Sequence, residues 1–391
     1  MSLNIVIFGL SITSSWGNGH ATTYRALAKA LAARGHKVTF LEREVPWYRE
    51  HRDLRHSPYC AIHLYRRLKD IPQRFHRMVV NADLAILGSY VPDGPVLADW
   101  LTTHAGGVTA FYDIDTPLTL SQIASGEIEY IKASLIPRFD LYLSFTGGPM
   151  LDFIEQAYGS PHARALHCSV DPAKHAPVNV KPNWHLGYLG TYSEDRQPKL
   201  ERFLFEAAGV LPGNRFVVAG PQYPKVVAWP GNVDRLEHLA PDAHPDFYCR
   251  QRFTLSITRA DMVSAGFSPS VRLFEAAACG VPLITDRWPG IGCFFKPGEE
   301  ILIADSSRDV VQFLTELSEE RRRSIAEAAR KRVLRSHTAE HRAKQLEEFY
   351  QEVAAKRRTT SRRGRMRLSA RQFVQHKDEQ METLHDFERQ P

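Results

Sequence analysis

The sequence predicts an α/β protein built from two successive doubly wound parallel sheets, and three observations carry that expectation. Short uninterrupted apolar runs alternate with stretches of helical period, the pattern of parallel strands joined by crossover helices. The alternation stops past the middle of the chain and then restarts. Between the two sets lies SVDPAKHAPVNVKPNW, residues 169–184, which is rich in proline and lacks a helical period, so it reads as a linker.

The first set opens with NIVIF (4–8), a continuous apolar run of the buried parallel type. A loop holding Gly17 and Gly19 leads into a helix with Tyr24, Leu27, Ala28 and Leu31 on one face. Gly35 is placed to stop that helix in the left-handed conformation. KVTFL (37–41), LAIL (84–87), VTAFY (108–112) and LYLSF (141–145) are the remaining strands of this set. The second set is WHLGY (184–188), RFVVA (215–219), NVDRL (232–236), FTLSI (253–257), PLIT (282–285) and ILIA, beginning at 301. An Arg/Glu-rich helical stretch over 318–355 closes the fold. The expected division is a first domain over 1–170, a linker over 171–183, a second domain over 184–336, a closing helix over 337–355 and a tail over 356–391. Open parallel sheets bind ligands beyond the carboxyl ends of their strands, so the cleft between the two domains is the expected site.

Composition agrees with a globular chain of this size. The 391 residues suffice for two domains with full cores, and 43% hydrophobic with 24% charged residues is ordinary for a soluble protein. Five widely spaced cysteines with no C-x-x-C pair argue against a disulfide framework and a zinc site, and suit a reducing compartment. No apolar run reaches 18 residues, and MSLNIVIFGL reads as a strand rather than a signal peptide, so a cytoplasmic protein is expected. The net charge of +6 is concentrated: 356–371 hold eight Lys/Arg and no acid, leaving −2 (+6 minus 8) for the rest. Such a tail is expected to be disordered, and it suits peripheral contact with an anionic inner-membrane face. No aromatic-interleaved motif accompanies the charge, so nucleic acid is not an expected partner.

The most informative stretch is GFSPSVRLFEAAACGVPLITD, residues 266–286. Ser268 is placed to cap a helix with Pro269 in its first turn, and Gly280 and Pro282 end it. The helix follows a strand, so its amino end should face the cleft, where free N–H groups and the dipole favour a phosphate. Arg272 adds positive charge there, and Glu275 one turn on is suited to sugar hydroxyls. The alternative is an internal Arg272–Glu275 pair of i,i+3 spacing, worth tenths of a kcal/mol.

SPSVRLFEAAACGVPLITD together with WPGIGCFFKPGEEILIA (288–304) resembles the donor-binding segment of GT-B glycosyltransferases of the group-one type, and within them the spore-maturation, CgeB-like set. SVDPAKHAP (169–177) resembles that superfamily's inter-domain V-D-x-x-x-x-x-P signature, and GYLGTY (187–192) its first C-domain strand and loop. The resemblance implies a GT-B fold of two Rossmann-like domains facing a cleft. It implies a nucleotide-diphosphate sugar held mainly by the second domain, with Glu275 on the ribose and the turn of Ser268, Ser270 and Arg272 facing the diphosphate. Gly190 and Thr191 would approach the phosphates, with Arg196 and Lys199 as cationic candidates behind them. Many group-one retaining enzymes carry a second glutamate eight positions before the helix glutamate, and here that position is Phe267.

The first domain is expected to supply the acceptor site and a general base. SSWGNGHATT (14–23) places His20 at the start of the first helix, and an imidazole suits removal of a proton from a hydroxyl near neutral pH. FYDIDTP (111–117) places Asp113 and Asp115 past a strand end on the same edge, where either is suited to orient His20. Such His–Asp pairs resemble those of inverting GT-B enzymes. No D-x-D occurs in the donor half, so a metal-independent reaction is expected, with no cofactor beyond the sugar nucleotide. The acceptor is an unidentified glycan, lipid-linked or small molecule. The alternatives are a nucleotide-sugar 2-epimerase on the same fold and a non-catalytic nucleotide-sugar-binding protein.

Overall fold

The structure is a computed structural model that describes residues 1–16 and 19–357. Gly17 of the glycine loop and the basic tail from 358 onward lie outside the described residues. Met1–Leu346 form one compact unit that contains both sheets. Glu347–Pro391 form a second unit, helical over its described residues 347–357.

The first sheet holds β1 (Asn4–Gly9), β2 (Lys37–Arg43), β3 (Ala61–Tyr65), β4 (Leu84–Gly88), β5 (Val108–Asp113), β6 (Leu141–Ser144) and β7 (Ala163–Ala165). They run parallel in the order β3-β2-β1-β4-β5-β6-β7. The second sheet holds β8 (Trp184–Leu189), β9 (Phe216–Ala219), β10 (Val233–Leu236), β11 (Gln251–Ser256), β12 (Leu283–Asp286) and β13 (Leu302–Ala304), parallel in the order β10-β9-β8-β11-β12-β13. Chain direction across each sheet reverses once, between β1 and β4 and between β8 and β11. Loops leaving those strands diverge there and open a crevice at the carboxyl ends.

The predicted strands are all present, shifted by a residue or two at their ends. Two edge strands, β3 and β7, were not predicted. β3 reads AIHLY, only partly buried, and β7 has three residues, so neither shows the continuous apolar run that marks the central strands. The first helix is His20–Ala33, with Tyr24, Leu27, Ala28 and Leu31 buried and Gly35 left-handed at φ 88° beyond it.

One expectation needs correction. The helix carrying Glu275 is Val271–Ala278, and its N-cap is Ser270 rather than Ser268. Ser268 lies in the preceding extended segment, where its buried hydroxyl accepts from Thr146 Oγ1 at 3.0 Å. The helical stretch 318–355 is interrupted at His337 and Thr338. Helix Glu319–Ser336 ends at His337, where Thr338 forms a parallel bridge with Val170 at the start of the linker. Val170 N–H donates to the His337 carbonyl at 3.2 Å, and Ala339 N–H to the Val170 carbonyl at 2.9 Å. Among the described residues, no helix is long and apolar enough to cross a membrane.

Candidate functional site

The loops leaving β1, β5, β8 and β11 converge on adjoining cavities at the carboxyl ends of both sheets. The loop after β1 is fixed by Glu42 at the end of β2. Its buried carboxylate accepts from Ile12 N–H at 2.7 Å, Thr13 N–H at 3.0 Å and the Thr13 hydroxyl at 2.6 Å. That loop delivers Gly19 and His20 to the cleft.

A cavity of about 200 Å³ is bounded by Gly19 and Thr22 from the first sheet's side and by Gly190, Thr191, Arg272 and Glu275 from the second. The backbone comes close there. A Cβ on Gly190 would lie 2.6 Å from the Tyr188 hydroxyl, and one on Gly220, at φ 142°, would clash with the Gly190 carbonyl. The two glycines therefore let the loops after β8 and β9 pack closely against each other beside the cavity. Glu275, 4% exposed, sits on the cavity floor. Tyr248 donates to its Oε2 at 3.2 Å; His175 Nε2 is 3.6 Å from Oε1, and His244 Nδ1 is 3.9 Å from Oε2. Arg272 does not pair with Glu275; its guanidinium donates to Ser270 Oγ at 3.2 Å and lies 5.7 Å from the Tyr188 ring centroid.

A second cavity of about 220 Å³ shares Gly19, Val271 and Arg272 with the first and adds His20, Asp115, Arg196, Arg259 and Ser270. Its charge is dominated by guanidinium groups. Arg196 is 8% exposed, donates to the Thr191 carbonyl at 2.8 Å, and its buried Nε has no hydrogen-bond partner. Burial, with the neighbouring Arg272 and Arg259, pulls its pKa below the ordinary value. A buried cation held among like charges favours an anion in the space between them. Lys199 has another role: its Nζ donates to buried Asp286 at 2.6 Å, and Asp286 also accepts from the Thr258 N–H and hydroxyl.

His20 is in this cavity, and neither aspartate hydrogen-bonds to it. Its Nδ1 is buried with no partner among the described residues, and its ring packs edge-on against Tyr90 with centroids 5.2 Å apart. Tyr90 donates to Asp115 at 2.9 Å, and Arg259 pairs with the same oxygen of Asp115 at 3.2 Å. Burial first, and the Arg259 charge second, lower the His20 pKa to about 3. Asp113 is fully buried, and accepts from the Tyr142 hydroxyl at 2.5 Å and the Thr119 hydroxyl at 2.8 Å. Burial raises its pKa to about 6 despite those bonds. The D-x-D pair thus diverges, with Asp113 turned into the core and Asp115 toward the cleft.

A third cavity, about 480 Å³, borders the first and is lined by Trp16, Trp47, Tyr223, Arg235, Glu237 and His238. The sequence did not single out Arg259, Tyr90, His175 or His244. Arg259 directly follows the expected strand FTLSI and its short Thr258 exit, so the rule that placed the cleft at strand ends could have found it. His175 and His244 are joined to Glu275 only by tertiary packing. Those three residues are a group suited to a metal ion, one atom from each lying within 4.8 Å of the others.

Residues 196–348 match the family model described as glycosyl transferase-like. No curated protein matches the sequence. Among solved structures, a sucrose-phosphate synthase from Thermosynechococcus elongatus is 15% identical with a TM-score of 0.64, covering 90% of this chain and 99% of its own. The Anabaena protein Alr3699/HepE, solved with UDP and glucose, is 12% identical with a TM-score of 0.67 over 90% of this chain and all of its own. An alpha-glucosyltransferase solved with UDP-glucose and DNA containing an abasic site is 14% identical, with a TM-score of 0.69 and the same coverage. These likenesses, with the topology of the two sheets, show the GT-B fold, and the second half of the chain carries a glycosyltransferase-like domain.

Proposed function

We propose that this chain is a glycosyltransferase that moves a sugar from a nucleotide-diphosphate sugar to a hydroxyl-bearing acceptor. The observation that carries the reading is Arg196: a buried guanidinium with an unpartnered Nε, facing a cavity with Arg259 and Arg272. A diphosphate supplies the charge and acceptor oxygens that this arrangement lacks. The Gly190–Thr191 loop, held against Gly220 at the cavity wall, faces the phosphates, and Glu275 accepts from the ribose hydroxyls. Neighbours of the same fold were solved with UDP or UDP-glucose, which makes UDP the first nucleotide to test.

In the reaction, the bond from the sugar anomeric carbon to the diphosphate oxygen breaks and a bond to the acceptor oxygen forms. The nucleoside diphosphate leaves with the negative charge, which the three guanidinium groups neutralise as fixed donors, the role a metal ion plays in other sites. The acceptor proton passes to the His20 ring. Burial, the larger cause, and the Arg259 charge hold His20 at about 3, a weak base; the bound diphosphate offsets the Arg259 share alone. Direct displacement of this kind inverts the anomeric configuration, and Phe267 in place of a second glutamate is consistent with that course. The CgeB-like assignment rests on the resemblance of residues 169–304.

Thermal-shift screening against a panel of nucleotide sugars, then nucleotide-release assays with the hit, tests the reading. UDP or another nucleoside diphosphate is expected to stabilise the protein, and Glu275→Ala to weaken that binding by about 1.5–3 kcal/mol without unfolding it. Nucleotide affinity unchanged in Glu275→Ala removes the ribose assignment. No shift with any nucleotide sugar removes the proposal.

A further inference from the structure

We propose that His175, His244 and Glu275 bind a divalent transition-metal cation of the zinc class, and that the bound ion competes with the nucleotide for Glu275. The competition rests on the reading of Glu275 as the ribose-binding residue; the cation site does not.

The three side chains come from separate elements. His175 is in the linker, its N–H bonded to the Asp171 carbonyl at 2.9 Å. His244 opens the short helix His244–Cys249, and Glu275 lies in helix Val271–Ala278. One ligand atom from each falls within 4.8 Å of the others, and the two histidine-to-carboxylate distances are 3.6 and 3.9 Å. Ligands at about 2.0–2.2 Å from a tetrahedral ion stand roughly 3.3–3.5 Å apart. The two histidine–carboxylate pairs, one on each oxygen, are near that spacing, and side-chain rotation has to draw in the widest pair, which lies within 4.8 Å. Two imidazoles and one carboxylate favour zinc and its first-row neighbours over magnesium or calcium, which prefer all-oxygen ligation.

A second, independent observation points to a ligand. His175 is 4% exposed, and both of its ring nitrogens are buried without a hydrogen-bond partner. Leaving a buried polar group unpaired costs about 1–3 kcal/mol, and coordination removes that cost for one nitrogen. An outer bond is also in place, because the Tyr248 hydroxyl donates to Glu275 Oε2 and fixes the carboxylate's orientation. His244 and Glu275 both line the donor cavity, so the ion's remaining position opens toward solvent or ligand. Oε1 faces His175 while Oε2 faces His244 and Tyr248. An ion held there occupies the lone pairs that a ribose diol needs.

The test uses the tag-free full chain, stripped with chelator and titrated calorimetrically with zinc chloride and separately with magnesium chloride. The expected result is one-to-one zinc binding at micromolar or tighter affinity, weakened at least tenfold by His175→Ala and by His244→Ala, with no magnesium binding. Thermal melts establish that the variants are folded, and His244, being only half-buried, keeps the test valid if His175→Ala unfolds. Zinc binding unchanged in a folded variant, or equal binding of magnesium, overturns the site. UDP titrations with zinc present and after chelation then read the competition, with a tenfold weaker apparent affinity expected when zinc is bound. Zinc without effect on UDP, in a protein whose UDP binding depends on Glu275, overturns the competition. UDP affinity indifferent to Glu275→Gln, with zinc binding still dependent on both histidines, refutes the ribose reading and leaves the cation site standing.

Discussion

Arg196 and Lys199 stand three residues apart after β8, and the fold gives them different work. The Lys199 ammonium holds the buried Asp286 carboxylate at the end of β12, whereas the Arg196 guanidinium has only a carbonyl partner and an unpaired Nε. Arg196→Ala should therefore weaken UDP binding at least tenfold, the loss of about 1.5–3 kcal/mol that a charge-assisted hydrogen bond supplies, with stability unchanged or raised because an unpaired buried charge is gone. Lys199→Ala should leave UDP affinity within about threefold and lower stability by about 1–3 kcal/mol, the cost of an unpaired buried acceptor. Parallel calorimetry and urea melts check both, and a reversed pattern would place the diphosphate at Lys199 instead. His20 is argued at the same scale. A positioned acid or base contributes about 10²- to 10⁴-fold, so His20→Ala should lower kcat strongly and leave UDP affinity nearly unchanged. A variant within about threefold of the parent rate, or retention of anomeric configuration by NMR, rules out the base. The sequence could name Arg196 and Lys199 through the resemblance of the loop after GYLGTY, and His20 through its place at the start of the first helix. It could not tell which cation has a partner, since Asp286 is 87 positions from Lys199 and they meet only through the order β8-β11-β12.

At the scale of elements, the central strands were legible because burial on both faces demands continuous apolar runs. The edge strands β3 and β7 lack that demand, and hydrogen bonding to a neighbour defines them more than composition does. The helix start at Ser270 was missed for a related reason. Ser268-Pro269 is a good capping sequence, but the Ser268 hydroxyl is engaged by Thr146, 122 positions away, and a tertiary partner outweighs a local cap. The glycine positions at the site are tighter than sequence alone suggests. Gly220, just past β9, combines φ of 142° with a Cβ direction that runs into the Gly190 carbonyl. Gly220→Ala should cost about 1–3 kcal/mol for a strained backbone conformation and should also weaken nucleotide binding by displacing the Gly190–Thr191 loop. Gly213→Ala, at a turn with open space and no left-handed φ, is the matched control and should be near neutral in both measurements. Equal behaviour of the two variants would show that the Gly190–Gly220 approach is not required for the site.

At the scale of the whole molecule, several buried titratable groups act together on stability. Burial lowers the pKa of His20 to about 3, of His167 to about 4 and of His337 to about 3. The His337 ring confirms its neutral form locally, since its Nδ1 accepts from Arg342 while it stacks on Phe274. In the unfolded chain these imidazoles titrate near 6.5, so between pH 6.5 and about 4 the unfolded state binds protons that the folded state refuses. Stability must then fall as pH falls through that window. Asp113 acts in the opposite direction: its folded pKa of about 6 lies above the unfolded value of 3.8, so folding takes up a proton there and stability rises as pH falls from 6 toward 4. Three histidines outweigh one aspartate. Between pH 7 and 5.5 each histidine accounts for about 1.2 kcal/mol of loss and Asp113 returns about 0.8, leaving a net loss of up to about 3 kcal/mol. The urea midpoint should accordingly drop on acidification over this range, and His337→Asn should flatten the dependence by about two-fifths. Asp113→Asn should steepen it, because an opposing group is gone. A midpoint that is flat or rises between pH 7 and 5.5 would show that these imidazoles are charged in the folded protein, and the neutral His20 on which the transfer chemistry depends would have to be abandoned with them.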